Sequence, residues 1–192
     1  MIQEVIITTR HPDGRPHMAP MGVRHTGRHI VIAPFRPSTT LDNLLAGRAA
    51  VVNYTDDVRV FAGCLSGRRD WPLVDAQHVP VSRLAECLAH TEVELETVKE
   101  NPERPRLICR PVFSQTHSPF MGFNRAQASV LELAILVSRL DRLPMEQVLR
   151  VIDYLRIAVD KTAGPREQDA WDWLIEQVVA FQANAANRQG GT

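Results

Sequence analysis

With 192 residues, the chain is long enough for one sizeable core, or for a barrel-sized domain with a smaller appendage. It is 44% hydrophobic and 23% charged, and its 22 basic residues balance 22 acidic ones, which excludes a global field for nucleic acid or anionic membrane. Charge is nevertheless uneven: Arg10, Arg15, Arg24, Arg28 and Arg36 stand against Asp13 alone between residues 10 and 36, whereas Glu92, Glu94, Glu96 and Glu100 gather later. That asymmetry suits a small anionic ligand near the N-terminal half better than a duplex.

Val5 to Thr9 is a β-branched run, and His17 to Val23 a second apolar-alternating one. Between them Asp13-Gly14 supplies the positive backbone dihedrals of a tight hairpin. Gly27 marks another turn, and His29 to Phe35 reads as a third strand. Pro20 lacks an N–H and points to a sheet edge or bulge. Thr39 to Ala46 reads as a short helix closed by Gly47, Ala49 to Tyr54 as a strand, and Asp57 to Leu65 as another short helix. Trp71 to Val81, rich in proline and polar residues, reads as an irregular loop. Ala89 to Val98 and Arg106 to Thr116 are longer strands that pair. In the first, Val93, Leu95 and Thr97 face a core, and Glu92, Glu94 and Glu96 face water.

Beyond Pro119 every signal is helical. Asn124 caps a helix to about Leu140, Pro144 opens a second to about Lys161, and a third follows Gly164-Pro165 to about Asn187. Val148, Val151, Ile152, Leu155 and Val159 form one stripe at helical spacing, and Trp171, Leu174, Ile175, Val178 and Phe181 another. These stripes are core. The first of the three helices is apolar nearly all round, which suits a central position or a subunit contact. The expected organisation is a barrel domain over 1–120, a helical domain over 121–187, and a disordered tail over 188–192.

Cys64, Cys87 and Cys109 are widely separated and odd in number, with no C-x-x-C and no zinc spacing. They read as buried free thiols of a reducing cytoplasm, and no metal is expected. The N-terminus lacks a signal-peptide pattern, and the most apolar stretch, Ala126 to Val137, is interrupted by Ser129 and Glu132 and too short to span a bilayer. Walker, G-x-G-x-x-G, G-x-S-x-G and H-E-x-x-H motifs are absent. His11, His17, His25 and His29 fall in or beside hairpin turns and read as solvated.

Ser38, Thr39 and Thr40 precede the short helix, with Asp42 three residues after Thr39, a capping-box-like arrangement that by itself needs no ligand. One cap needs one hydroxyl, and this stretch has three, plus the Arg36 guanidinium. Free N–H groups, the helix dipole and an arginine together make an anion site. Cap and phosphate cradle both remain open on these residues alone.

The order D-G-R-P hairpin, third strand, hydroxyl-rich loop into "TLDNLLAG", then "AAVVNYTDD", resembles the FMN-binding split barrel of flavin reductases and pyridoxamine-phosphate-oxidase-like proteins. With "MGFNRAQASVLELAILVSRL" and a helical C-terminal part, nearly the whole chain resembles the domain-of-unknown-function 447 family. These are small flavin-binding proteins of archaea and of bacteria with methanopterin-linked one-carbon metabolism. The resemblance implies an α+β fold: an antiparallel split β-barrel followed by a C-terminal three-helix segment. It implies FMN at a homodimer interface, with the phosphate near Arg36, Ser38, Thr39 and Thr40, and asparagines of the pattern at Asn43 and Asn53. Asn53, Tyr54 and Thr55 would approach the ribityl chain or ring, Ala19, Pro20, Met21 and Gly22 would lie along the isoalloxazine, and Arg125 would reach the phosphate. The lysine of the usual flavin-reductase loop has no counterpart between residues 34 and 55.

The implied function is an FMN-dependent oxidoreductase acting on a small molecule, in the cytoplasm, linked to methanopterin-type one-carbon metabolism. No residue stands out as an obligatory acid or base. The alternative is a non-catalytic FMN-binding or dimerisation module, and a third reading drops flavin and leaves an interaction protein.

Overall fold

The computed structural model describes residues 1–189. The chain forms two compact units, one of residues 1–56 and 70–120, the other of residues 57–69 with those from 121 onward. The helical unit thus takes in 57–69, which a linear division at residue 120 places with the barrel.

In the first unit β1 (Gln3–Arg10), β2 (Pro16–Thr26), β3 (His29–Ile32), β4 (Ala49–Tyr54), β7 (Ala89–Lys99) and β8 (Arg106–Thr116) close an antiparallel barrel in the order β1-β2-β3-β8-β7-β4. Gly14, at φ 91, makes the β1–β2 turn that Asp13-Gly14 announces. The pairing of β1 with β2 runs through Pro20 opposite Ile6 without a register shift. Pairing of β2 with β3 begins only at Val23, so the missing N–H of Pro20 falls on an open edge, where it costs no ladder bond. The third strand stops at Ile32 rather than Phe35.

Alternation sends Val5, Ile7, Val23, Ile30, Ala50, Val52, Val93 and Leu95 inward, all at most 3% exposed. α1 (Thr39–Gly47) plugs one end of this interior with Leu41 and Leu44. The helix ends in a different manner from the sequence expectation. Gly47 is its last residue, and Arg48 takes the left-handed conformation at φ 54, its N–H donating to the Leu44 carbonyl.

Residues 71–81 are not wholly irregular. β5 (Leu73–Asp75) and β6 (Ser82–Leu84) form a two-stranded hairpin that lies on the outer face of the barrel. There Ala76, Val79 and Val81 cover the outward residues Ala49 and Val51 of β4. A barrel strand that is apolar on both faces reads as the unbroken run "AAVV", which is why β4 shows no alternation.

The second unit holds α2 (Val58–Ser66), α3 (Arg125–Val137), α4 (Met145–Thr162) and α5 (Pro165–Gln189). Asp57 and Asn124 cap α2 and α3 through side-chain oxygens. α3 is the central element: Ala126, Val130, Leu133 and Ala134 meet Val58 and Ala62 of α2, Val148, Ile152 and Val159 of α4, and Trp171, Leu174 and Val178 of α5. Phe181, expected on the core stripe, is exposed. Of the tail expected to be disordered, residues 188 and 189 continue α5 and residues 190–192 lie outside the described residues.

Candidate functional site

The first turn of α1 meets the open edge of β2. Ser38 is the N-cap, its Oγ accepting from the Leu41 N–H at 3.3 Å, so the capping residue is Ser38 and not Thr39. Thr40, 1% exposed, is hydrogen-bonded through Oγ1 to His17 Nε2 at 3.2 Å. His17 is half-buried, contrary to the solvated-turn reading. One turn on, Asn43 donates through Nδ2 to Thr9 Oγ1 at 3.0 Å. β1, β2 and α1 are therefore tied together by side chains at one end of the barrel, with the helix N-terminus beside His17, in the stretch 16–22 of β2. Those residues pair on one side only, and Ala19, Pro20, Met21 and Gly22 are half-buried.

A cleft of about 400 Å³ adjoins this end, between the β1–β2 turn and the β5–β6 connection, lined by Thr9, Arg10, Pro16, Val79, Pro80 and Ser82 among others. Arg10 spans it, donating through Nε to the Gly14 carbonyl at 3.2 Å and through Nη1 to the Pro80 carbonyl at 3.5 Å.

Other residues singled out from the sequence sit differently. Arg36 is exposed and pairs with Glu100 at 2.9 Å, its backbone N–H donating to the Glu103 carbonyl. Asn53 is fully buried. Its Nδ2 donates to the Ile6 carbonyl and Thr8 Oγ1, and its Oδ1 accepts from the Leu84 N–H at 2.8 Å. This amide fastens the outer hairpin to the barrel wall. Tyr54 and Thr55 are half-buried at the end of β4. Arg125 is the exposed first residue of α3, in the helical unit.

Glu92 is where the sequence reading fails. Glu94 and Glu96 are exposed as expected, but Glu92 is 0% exposed under the outer hairpin. Its carboxylate accepts from three backbone N–H groups, of Gln77 at 2.8 Å, His78 at 2.6 Å and Val79 at 3.0 Å. On its other side His90, 1% exposed, places Nε2 3.3 Å from Glu92 Oε1 and Nδ1 2.9 Å from His117 Nε2. Neither histidine stands out in the sequence, because nothing in "AHTEVELE" signals a covering layer.

Burial pushes His90 and His117 below the ordinary imidazole value of 6.5, with Arg83 adding repulsion, while Glu92 opposes the shift at His90. Glu92 itself is pushed up by burial, but the N–H donors and His90 outweigh this and hold it below its ordinary 4.5. All three groups bind fewer protons folded than unfolded at acid pH. Their contribution to stability is complete above about 6.5, declines as pH falls through the lowered histidine values, and declines again below about 4.5. Melting temperature measured from pH 8 to 4 should fall in those two stages, and a flat profile from 7.5 to 5 would contradict the histidine assignment.

Among the described residues no group of three or more His, Cys, Asp or Glu side chains is placed to hold a metal ion. Cys64, Cys87 and Cys109 are all buried free thiols, and burial pushes Cys64 up to about 11 and Cys109 up to about 12, far from reactive.

Comparison with solved structures identifies the barrel as the FMN-binding split-barrel fold. An FMN-bound protein of Methanosarcina mazei superposes with a TM-score of 0.79 at 21% identity, over 92% of this chain and 94% of that one. The 2-nitrobenzoate 2-nitroreductase of Pseudomonas fluorescens gives 0.54 at 18% identity, over 59% of this chain and 64% of that one. The flavoredoxin of Desulfovibrio vulgaris gives 0.52 at 13%, over 60% and 70% respectively. Comparison with curated proteins gives no match. The model of the N-terminal domain of the protein of unknown function DUF447 matches residues 3–118, and the companion DUF447 model matches residues 124–176. With both halves matched in order, and with the barrel and helices that the motifs call for, the chain belongs to the DUF447 family.

Proposed function

We propose that the barrel unit binds FMN and that the protein is an FMN-dependent oxidoreductase acting on a small molecule. The observation that carries this is the junction of the α1 N-terminus with the open β2 edge, held by the His17–Thr40 hydrogen bond. A helix N-terminus receives phosphate through its backbone N–H groups, and an unpaired strand edge offers N–H and C=O groups to a flat heterocycle with donors and acceptors on its rim. In this reading Ser38, Thr39 and Thr40 surround the phosphate, and residues 19–22 lie along the ring. Arg36 joins the phosphate by leaving Glu100, a change that costs little because that pair is exposed. Asn43 and Asn53 act indirectly, since their amides hold α1 and the hairpin in place. Tyr54 and Thr55 close the end of β4. The Methanosarcina relative, FMN-bound and similar over nearly its whole length, supports the cofactor.

When bound, FMN supplies hydride and electron transfer; the protein supplies binding, orientation and exclusion of water. A homodimer with the flavin at its interface, a cytoplasmic location and a reduced pterin or nicotinamide donor complete the reading. Among the described residues no helix is long and apolar enough to cross a membrane.

Purified protein should show the visible bands of oxidised flavin, or gain thermal stability with excess FMN, as linkage requires. Thr39→Val, at a half-buried hydroxyl of the helix N-terminus, should weaken FMN by roughly tenfold, the loss of one charge-assisted hydrogen bond. A colourless protein whose melting temperature ignores FMN would sink the reading. Bound flavin that is never bleached anaerobically by NADH, NADPH or reduced pterins would leave a binding module.

A further inference from the structure

The chain Glu92–His90–His117 lies on the outer face of the barrel, and its geometry fixes where its protons are. The carboxylate can only accept, so at 3.3 Å His90 Nε2 carries the hydrogen and donates to Glu92. A neutral His90 then has a lone pair at Nδ1, and the 2.9 Å contact makes His117 Nε2 the donor to it. The two ring planes differ by 7°, which keeps this bond in line. His117 Nδ1 is left without a hydrogen-bond partner among the described residues, and it is not a buried atom. Every nitrogen of the pair therefore has an assigned role, and one lone pair faces solvent.

We propose that Glu92, His90 and His117 form a one-proton relay that presents His117 Nδ1 at the surface as an acid–base group, with His90 and Glu92 as its positioning residues. A proton taken from an external weak acid forms the Nδ1–H bond of His117. Its Nε2 proton passes to His90 Nδ1. His117 is neutral again in the other tautomer, and the positive charge rests on His90 against the Glu92 carboxylate. Release runs the same steps backward. No second proton fits, because two N–H groups cannot face each other across 2.9 Å.

The groups around the pair are consistent with one charge and no more. Arg83 of β6 repels a proton on either histidine. Glu92 of β7 attracts one at His90, and the three N–H groups of residues 77–79 keep that carboxylate ionised. Phe113 of β8 separates the rings of His78 and His90, 4.7 Å from the first and 5.8 Å from the second. Asn53 of β4 and Gln115 of β8, the cross-strand partners of His90, are uncharged.

The position has functional meaning because Leu88 donates its N–H to the Tyr54 carbonyl and accepts from the His117 N–H at 2.7 Å. The His117 backbone is thus linked through Leu88 to Tyr54, at the end of β4 that the family resemblance sets near the ribityl chain or ring. The relay does not depend on the flavin reading, and it is tested on protein without flavin.

Imidazole ¹⁵N–¹H spectra recorded from pH 8 to 5 decide the matter. At pH 8 both His90 and His117 should show the Nε2–H tautomer. On acidification they should titrate together with one shared midpoint, His90 becoming imidazolium as His117 changes to Nδ1–H. In Glu92→Gln the shared midpoint should fall by about one pH unit or more, since an adjacent opposite charge is gone. Independent uptake of two protons, a His117 that is already Nδ1–H at pH 8, or an unchanged midpoint in Glu92→Gln would each overturn the relay. The spectra of the unmodified protein suffice should that variant fail to fold.

Discussion

Replacing Glu92 by alanine should cost the barrel about 4 kcal/mol, more than most single substitutions in the chain. The loss has two sources. Three backbone N–H groups of residues 77–79 lose their acceptor, that of Val79 in a buried contact and those of Gln77 and His78 in part-buried ones. Each orphaned buried donor costs about 1–3 kcal/mol where solvent cannot replace the partner. The second source is His90, 1% exposed, which loses the acceptor for Nε2–H and is left buried with that donor unsatisfied. Glu92→Gln should be milder, because Oε1 still accepts, but its NH₂ faces N–H groups that need an oxygen. Urea unfolding followed by a probe in the barrel measures both. A loss below about 1 kcal/mol in the alanine variant would mean that the hairpin is held by Val79 and Val81 packing alone.

Leu44→Ala should cost about 3 kcal/mol, within the range of about 2–5 kcal/mol for fully buried leucines. Leu44 is 0% exposed and, with Leu41, packs into the barrel interior from a helix that lies against β1 and β2. The opening left by its removal lies under α1, and the helix can relax only by settling inward. Such settling shifts Ser38, Thr39 and Thr40, and it strains the Thr40–His17 and Asn43–Thr9 hydrogen bonds. FMN affinity should therefore fall together with stability, by roughly tenfold for a displacement on the order of 1 Å. Equal affinity in Leu44→Ala and the unmodified protein would separate α1 from the flavin site. Urea midpoints combined with flavin fluorescence titration give both quantities.

Much of this architecture is legible in the sequence where local chemistry decides. Asp13-Gly14 needs a positive φ and gets it at Gly14. Asn124 is a cap with apolar residues behind it, and it caps α3. The stripe Val148, Ile152, Leu155 and Val159 finds a core because helical spacing leaves no other face for it. Legibility ends where a second layer covers the first. The alternation of Glu92, Glu94 and Glu96 says only that they share a face. Whether that face is wet depends on residues 76–79, which carry too few apolar side chains to announce a packed layer. The same layer hides the role of Asn53: in sequence it belongs to a flavin-protein motif, and in the fold it saturates its hydrogen bonds within the chain. Arg36 also has a partner that its local sequence does not announce. The three hydroxyls beside it in sequence say nothing of its exposed pairing with Glu100, 64 residues on, which only the fold brings within reach.

The excursion of residues 57–69 has a consequence for how the protein is made. α2 leaves the ribosome about halfway between the strands of the barrel, long before the helices that bury Val58 and Ala62 exist. During synthesis its apolar face has no native partner until α3 and α5 emerge, roughly 60 to 110 residues later. The barrel likewise cannot join β4 to β7 without first looping past it. Contacts of such high sequence separation slow folding through the cost of closing long loops. A gene fragment that starts after residue 120 encodes a helical core lacking one of its walls, so a cut at the apparent domain boundary divides neither unit cleanly from the other.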